Sequence, residues 1–310
     1  MGESRVANLV IVGVPKAGTG SLFAYLAQHP DVCGSDEKEI GYFNHYNPWR
    51  QQYKGTPPPL EEYARHWAHS TGEKYAIEAT PTYSYGGEPV ISAIRTVLGK
   101  PRIILILRDP VDRLWSAYTF QRQVGNNPGI GSFEQYLDVV EQRRRDGVAL
   151  VPNDGLHGLE IGFYADYVGL WLDEFRDDMR VIFLEDMRAD PRAVVHGLCD
   201  WLEIDTGVVS DLDVDARNVT RHPRSTRLAH VARTLKRRSE RLNLLPSSAY
   251  GRARSAYYRL NSGRLDERLE PELRRRVEEI YRASNQTTAE ILAAHGYREL
   301  PPWLRVGSAV

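Results

Sequence analysis

Residues 9–22, LVIVGVPKAGTGSL, limit what this 310-residue chain can fold into more than any other stretch. Leu9, Val10, Ile11 and Val12 form a short apolar run with the character of a strand buried on both faces. Gly13, Gly18 and Gly20 punctuate the loop that follows, after which Leu22, Phe23, Tyr25 and Leu26 recur at helical spacing. Strand, glycine loop and helix start, in that order, aim backbone N–H groups and the positive end of a helix dipole at one anion. Lys16 adds a full charge, and Thr19 and Ser21 add hydroxyl donors. The plain alternative is a glycine-rich turn that only joins a strand to a helix.

The position of the lysine separates kinds of cradle. A nucleoside-triphosphate loop has the pattern GxxxxGK[ST], with lysine directly after the second glycine. Gly13 and Gly18 have that spacing, but Thr19 follows Gly18 and the lysine, Lys16, lies inside the loop. An ordinary ATPase or kinase is therefore disfavoured.

A second anion site is legible at residues 102–116. RIILIL is a nearly continuous apolar run of strand length, followed by Arg108-Asp109-Pro110. Asp109 suits a helix N-cap and Pro110 the first helical position. Arg108 then stands at the carboxyl end of a central strand, where open α/β sheets bind ligands. Ser116, seven residues beyond Asp109, shares its helix face. Taken alone, the motif reads equally well as an arginine beside an Asp cap and a serine on a solvent face.

Between and beyond these motifs strands alternate with helices, which argues for an α/β fold with a central parallel sheet covered on both faces. Further strands are expected at residues 74–78 and, buried, at 180–184. Helices are expected at 60–68, 90–98, 132–145, 163–175, 191–202 and 273–292. Residues 29–31 (HPD) read as a stop and turn, 35–46 as an irregular polar–aromatic stretch, and 147–162 as a mobile loop. Tyr167, Val168, Trp171, Leu172 and Phe175 read as core. From residue 215 to 282 eighteen Lys/Arg face eight Asp/Glu, which reads mainly as a solvated helical face.

Composition closes off several function classes. With 42% hydrophobic and 26% charged residues the chain is of soluble globular type, and a net charge of −1 gives no general pull toward nucleic acid or membrane. Two cysteines, Cys33 and Cys199, make neither a disulfide framework nor a zinc pattern. No apolar run approaches the ~20 residues of a membrane span. No secretory leader is read at the N-terminus, so the expected location is cytoplasmic. Homo-oligomerisation is left open.

Taken together, GVPKAGTGSL, RIILILRDPVDRLWSAY, LEIGFYADYVGLWLDEF, RVIFLEDMRADP and NVTRHPRS resemble the PAPS-dependent sulfotransferases, in the branch that holds the heparan sulfate enzymes and many bacterial ones. The resemblance runs from about residue 8 to 230. It implies the P-loop-NTPase-like sulfotransferase fold, with residues 1–230 as the PAPS-binding core and 231–310 as a mainly helical, basic extension packed on it. By position, Lys16, Ala17, Gly18, Thr19, Gly20 and Ser21 would hold the 5′-phosphosulfate. Arg108 and Ser116 would hold the 3′-phosphate. Tyr164 and the loop bearing Arg221, Arg224 and Ser225 would close over the nucleotide. KEIGYF matches the segment that supplies the base, placing that role on Glu39 with Lys38 beside it; His45 is the rival base. Lys16 would stabilise the leaving group. PAPS would be the donor and PAP the product, with no metal and a hydroxylated acceptor as the partner.

One departure bears on the acceptor. The heparan-type enzymes carry Glu-Lys-Thr-Pro at the second strand motif, whereas this chain has Glu78-Ala79-Thr80-Pro81. The missing charge points away from a highly sulfated polysaccharide and toward a small molecule, lipid or glycoside. The alternatives are a nucleotide or small-molecule kinase with an atypical P-loop, and a nucleotide-binding module without catalysis.

Overall fold

The apolar runs at residues 9–12 and 103–107 lie side by side in the middle of a sheet, because neither of their faces can be given to water. The computed structural model describes residues 5–50, 55–124, 129–147, 155–214, 222–223, 262–263 and 268–305. Its sheet has five parallel strands: β1 (Leu9–Gly13), β2 (Val32–Gly34), β3 (Tyr75–Ala79), β4 (Arg102–Leu107) and β5 (Met179–Phe183). The order is β2-β3-β1-β4-β5. Val10 stands opposite Ile103 and Ile11 opposite Ile104 on one side, and Glu78 and Ala79 on the other. Ile103 to Leu107 have no exposed surface at all. Each such side chain contributes about 1.5–3 kcal/mol of burial, so this strand anchors the sheet. A two-stranded antiparallel pair, β6 (His222–Pro223) and β7 (Ser262–Gly263), stands apart from it.

Ten helices accompany the strands among the described residues. They are α1 (Thr19–Leu26), α2 (Leu60–Ala64), α3 (Glu88–Leu98), α4 (Pro110–Val124), α5 (Phe133–Arg145), α6 (Gly158–Ile161), α7 (Val168–Phe175), α8 (Leu184–Ala189), α9 (Pro191–Leu202) and α10 (Pro271–Ala294). Their starts follow the sequence. Asp109 Oδ1 accepts the Val111 N–H, and Asp190 accepts that of Ala193 with Pro191 behind it. Among the described residues no helix is long and apolar enough to cross a membrane.

Several expectations change. The turn at 29–31 leads directly into β2, an edge strand absent from the sequence reading. Three residues carry no period to detect, and β2 exists because Val32, Cys33 and Gly34 pair with Tyr75, Ala76 and Ile77. The strand expected at 180–184 is the other edge, with Arg180 and Ile182 only half buried. Its Val181 N–H is satisfied by the Tyr297 hydroxyl at 2.9 Å, which blunts the edge. The helix expected over 163–175 is broken at Tyr167 (φ −143°): residues 164–166 form a 3₁₀ turn and α7 follows. The helix at 60–68 likewise ends in a 3₁₀ turn after Ala64. Part of the loop at 147–162 is the short α6.

The C-terminal helix is built into the body. Val277 and Tyr281 of α10 share a core with Leu114 and Tyr118 of α4 and Phe133, Tyr136 and Leu137 of α5. Further along, Ala289 and Leu292 enter the main core around the sheet.

Gly13, where β1 gives way to the loop, is required for a steric reason. A Cβ there would lie 2.4 Å from both Cβ and Oγ of Ser84, itself fully buried. We expect Gly13→Ala to lower stability by about 1–3 kcal/mol through overpacking. Gly13→Ala/Ser84→Gly should recover most of it in urea unfolding, whereas simple additivity of the two losses would contradict this account.

Candidate active site

The described motif residues gather at one end of the sheet, because every parallel strand delivers its following loop there. β1 and β4 are neighbours whose successors lie on opposite sides, so the loops after them diverge and leave a crevice. Lys16 and Gly18 follow β1, Glu39 follows β2, Thr80 follows β3, Arg108 follows β4 and Arg188 follows β5.

The first loop is bent by two left-handed residues, Lys16 (φ 73°) and Gly18 (φ 89°). Gly18 is the N-cap of α1 and offers no side-chain acceptor, so the first-turn amides stay directed at the loop mouth. A Cβ on Gly18 would approach Leu184 Cδ1 at 2.8 Å, which fixes the loop against α8. Ala17 and Thr19 are buried beneath it, and Gly20 and Ser21 are partly exposed on the first turn.

Arg108 joins this loop to the second motif. Its NH1 donates to the Lys16 carbonyl at 2.8 Å, while the Tyr164 hydroxyl donates to the Arg108 carbonyl at 2.7 Å. The next amide, Asp109 N–H, donates to Glu185 Oε1 at 3.0 Å. Arg108 Nε is buried and has no hydrogen-bond partner among the described residues. A buried charged donor left over in this way suits an anionic ligand. Burial lowers the Arg108 pKa, and the positive charge of Arg188 lowers it further. Ser116, partly buried on α4, lies two turns along from Asp109.

Lys16 points into the same crevice. Its Nζ sits 4.3 Å from the centroid of Phe120, a large apolar side chain that is 39% exposed one turn beyond Ser116. Burial pushes its pKa down, Arg108 pushes the same way and Glu39 opposes them, leaving it at about 8. Glu39 therefore lies near enough for its charge to act on Lys16. Its side chain is 54% exposed, its backbone is left-handed (φ 65°), and Lys38 Nζ meets its Oε1 at 2.6 Å. His45 occupies the 3₁₀ turn at Tyr42–Tyr46, partly buried. Arg221, Arg224 and Ser225 lie outside the described residues.

Tyr164 has no exposed surface, and its link to the site is the hydrogen bond to the Arg108 carbonyl. The sequence reading missed Arg188, Phe120 and Arg274. Phe120 is four residues past Ser116, a spacing that could have revealed it. Arg274 of α10 lies 3.6 Å from Asp109 Oδ2 and also contacts Asp112. No local pattern ties it to residues so far back in the chain. Among the described residues no group of His, Cys, Asp and Glu is arranged to hold a metal ion.

The sulfotransferase domain family matches residues 7–289. The membrane-associated sulfotransferase kil1 of Dictyostelium discoideum is 36% identical over 119 residues, 37% of this chain and 23% of that protein. Mouse heparan sulfate glucosamine 3-O-sulfotransferase 3B1 is 27% identical over 202 residues, 65% of this chain and 47% of that protein. The chain thus matches less than half the length of these relatives. A crystal structure of a sulfotransferase from Alicyclobacillus acidocaldarius superposes with a TM-score of 0.67, covering 97% of this chain and 100% of that one. At 24% identity that likeness is one of fold. The family match spans the first-strand loop, the Arg-Asp-Pro motif and most of α10, and this chain belongs to the sulfotransferase family.

Proposed function

We propose that the protein transfers a sulfuryl group from PAPS to a hydroxyl of a small-molecule, lipid or glycoside acceptor. The observation that carries this reading is the pairing of two anion sites one hydrogen bond apart. The Lys16–Ser21 loop faces the same crevice as Arg108, whose buried Nε has no partner among the described residues. A donor with a 5′-phosphosulfate and a 3′-phosphate needs two such sites. ATP and ADP have no 3′-phosphate for Arg108 and Ser116. The residues present fit PAPS; the bound donor supplies an activated sulfuryl group with a phosphate leaving group.

Sulfuryl transfer resembles phosphoryl transfer in a loose, in-line transition state, so positioning and charge stabilisation dominate. Lys16, held by burial at a pKa of about 8, remains largely protonated at neutral pH and faces the charge that grows on the bridging oxygen. Glu39 takes the acceptor's proton, a role typically worth ~10²–10⁴-fold. Its exposed carboxylate beside Lys38 suits a base that must meet a substrate arriving from solvent. Tyr164 supports the 3′-phosphate site by holding the Arg108 carbonyl. The exposed ring of Phe120 and the absence of a lysine at Ala79 favour an acceptor with apolar surface over a highly charged polymer. Cys33 and Cys199 are both buried free thiols, which supports a reducing, cytoplasmic compartment.

Three expected outcomes test this reading. PAP at 100 times its Kd should stabilise the fold by about 2.7 kcal/mol, while AMP and ADP at the same concentration do far less and magnesium adds nothing. Equal stabilisation by PAP and ADP, or dependence on magnesium, would instead favour the kinase.

The second concerns the proton on Lys16. Free, it titrates near pH 8; beside bound phosphates its pKa must rise, because neighbouring anions favour the charged form. PAP binding should take up close to one proton at about pH 9 and almost none below about pH 7. Calorimetry in buffers of different ionisation enthalpy reads this directly. Lys16→Arg, charged throughout, should abolish the uptake; if it persists, another group is responsible.

The third separates the two bases. With labelled PAPS and a metabolite extract of the source cells as the acceptor pool, Glu39→Gln should lower label transfer by ~10²-fold or more without weakening PAP binding. His45→Asn should retain substantial transfer. The reverse ranking would move the base to His45, and no transfer by the unmodified protein would remove the catalytic reading.

A further inference from the structure

Beneath the crevice β3 carries a glutamate with no exposed surface. Among the described residues no Lys or Arg pairs with Glu78; hydroxyls satisfy it instead. Tyr63 donates to Oε2 at 2.5 Å, and Thr80 and Tyr83 donate to Oε1 at 2.8 and 2.7 Å. Burial raises the Glu78 pKa and the three hydroxyls oppose that shift; in its ionised form the carboxylate only accepts, so the Thr80 and Tyr83 hydroxyl protons then both point at Glu78 and their lone pairs face the other way. There they meet the loop that bears Glu39. Thr80 Oγ1 accepts the Gly41 N–H at 3.2 Å, and Tyr83 Oη accepts the Phe43 N–H at 3.2 Å. The Glu39 N–H completes the row, donating to the Ala79 carbonyl at 3.2 Å. Three alternate amides of the loop, at 39, 41 and 43, are therefore tied to residues 79–83.

This arrangement answers a specific difficulty. Glu39 and Gly41 both sit at positive φ, 65° and 76°. A non-glycine residue such as Glu39 is strained there and persists only where the surroundings over-determine it. Ile40, Tyr42 and Phe43 pack against the core, and Phe43 meets Tyr83 edge-on, but at the strained positions themselves Glu39 is largely exposed and Gly41 has no side chain. There the backbone hydrogen bonds act directly, and hydroxyls that donate to a carboxylate are better acceptors than isolated ones.

We propose that Glu78, Thr80 and Tyr83 form a positioning unit for the reaction, in which the buried carboxylate orients two hydroxyls that clamp the loop and aim Glu39 at the acceptor. The inference rests on Glu39 as the base. The clamp fixes direction rather than supplying charge to the reacting atoms, so its loss should reduce turnover without altering the nucleotide site. It also gives the second-strand motif a function in a chain where Ala79 contributes no charge of its own.

The test uses the full chain with Thr80→Val, Tyr83→Phe and Thr80→Ser, and Tyr75→Phe as a control. Tyr75 lies on the same strand, and its buried hydroxyl donates to the Leu202 carbonyl away from the crevice. Amide hydrogen exchange is followed across residues 39–46, together with PAP affinity and label transfer from PAPS to the metabolite extract. Thr80→Val and Tyr83→Phe should speed exchange at 41 and 43, lower transfer on the order of 10- to 100-fold, and leave PAP affinity unchanged. Thr80→Ser should restore both readouts, and Tyr75→Phe should move neither. Should Thr80→Val fail to bind PAP, Tyr83→Phe decides alone, since its ring keeps the edge contact with Phe43.

Normal transfer in Thr80→Val and Tyr83→Phe, with Glu39→Gln inactive, overturns the clamp and leaves the base assignment standing. Reduced transfer without faster exchange also overturns it, because the loss would not pass through the loop. An active Glu39→Gln overturns the base assignment and the clamp with it.

Discussion

The hydrogen bond from Arg108 NH1 to the Lys16 carbonyl is where the two halves of the site become one. It crosses from the loop after β4 to the loop after β1, and it holds Lys16 in a left-handed conformation that its own side chain disfavours. The bond brings two cations together, with Arg188 adding a third positive charge nearby. Burial and, after it, like charge both disfavour the charged forms here, and the lowered pKa values of Lys16 and Arg108 express that opposition. The site therefore holds a standing electrostatic strain that an anion relieves. On the proposed function, a ligand with two separated phosphates relieves more of it than a ligand with one.

The same edge also needs acids, and the fold handles them separately. Asp109 is required as the cap of α4, yet its carboxylate stands beside an anion site. Burial and the charge of Asp112 raise its pKa, while the Val111 amide and Arg274 oppose that shift. Arg274 comes from α10, which the core shared by α4, α5 and α10 holds in place. The C-terminal helix thus brings a positive charge to the N-terminal end of α4, where Arg274 bridges two aspartates and offsets their negative charge.

What the sequence made legible divides along a physical line. β1, β4 and the caps of α4 and α9 were readable because each is fixed by contiguous residues: a run of apolar side chains, or Asp followed by Pro. Lys16, Gly18 and Arg108 were readable for the same reason. β2 was not, since Val32–Gly34 is a strand only through its partner β3. Nor was the break at Tyr167, because the apolar stripe from Tyr164 to Phe175 keeps one face through a 3₁₀ turn and a helix alike. Arg274 and Arg188 were beyond reach because their meaning depends on which distant carboxylate or guanidinium they approach. Glu78 was visible as a motif letter, but a carboxylate in a strand says nothing by itself about three hydroxyls converging on it.

The edge position of β2 has a consequence for the chemistry. On the proposed function, a base must be reachable from solvent, whereas phosphate sites are best sunk between central strands. The sheet order satisfies both, placing the Lys16 and Arg108 loops on adjacent inner strands and the Glu39 loop on the rim. An edge strand of three residues supplies few ladder bonds to steady the Glu39 loop, which would be mobile if left to β2 alone. Part of its order comes from the packing of Tyr42 and Phe43 on Tyr63, and part from β3, the one partner β2 has in the sheet. The second-strand motif is then the natural place for a clamp: Ala79 offers its carbonyl, and Thr80 and Tyr83 offer hydroxyls fixed by Glu78. A surface loop rarely combines an exposed base with a rigid backbone. In the clamp we propose the two are reconciled, because rigidity is supplied from β3, inside the sheet, while the carboxylate stays at its rim.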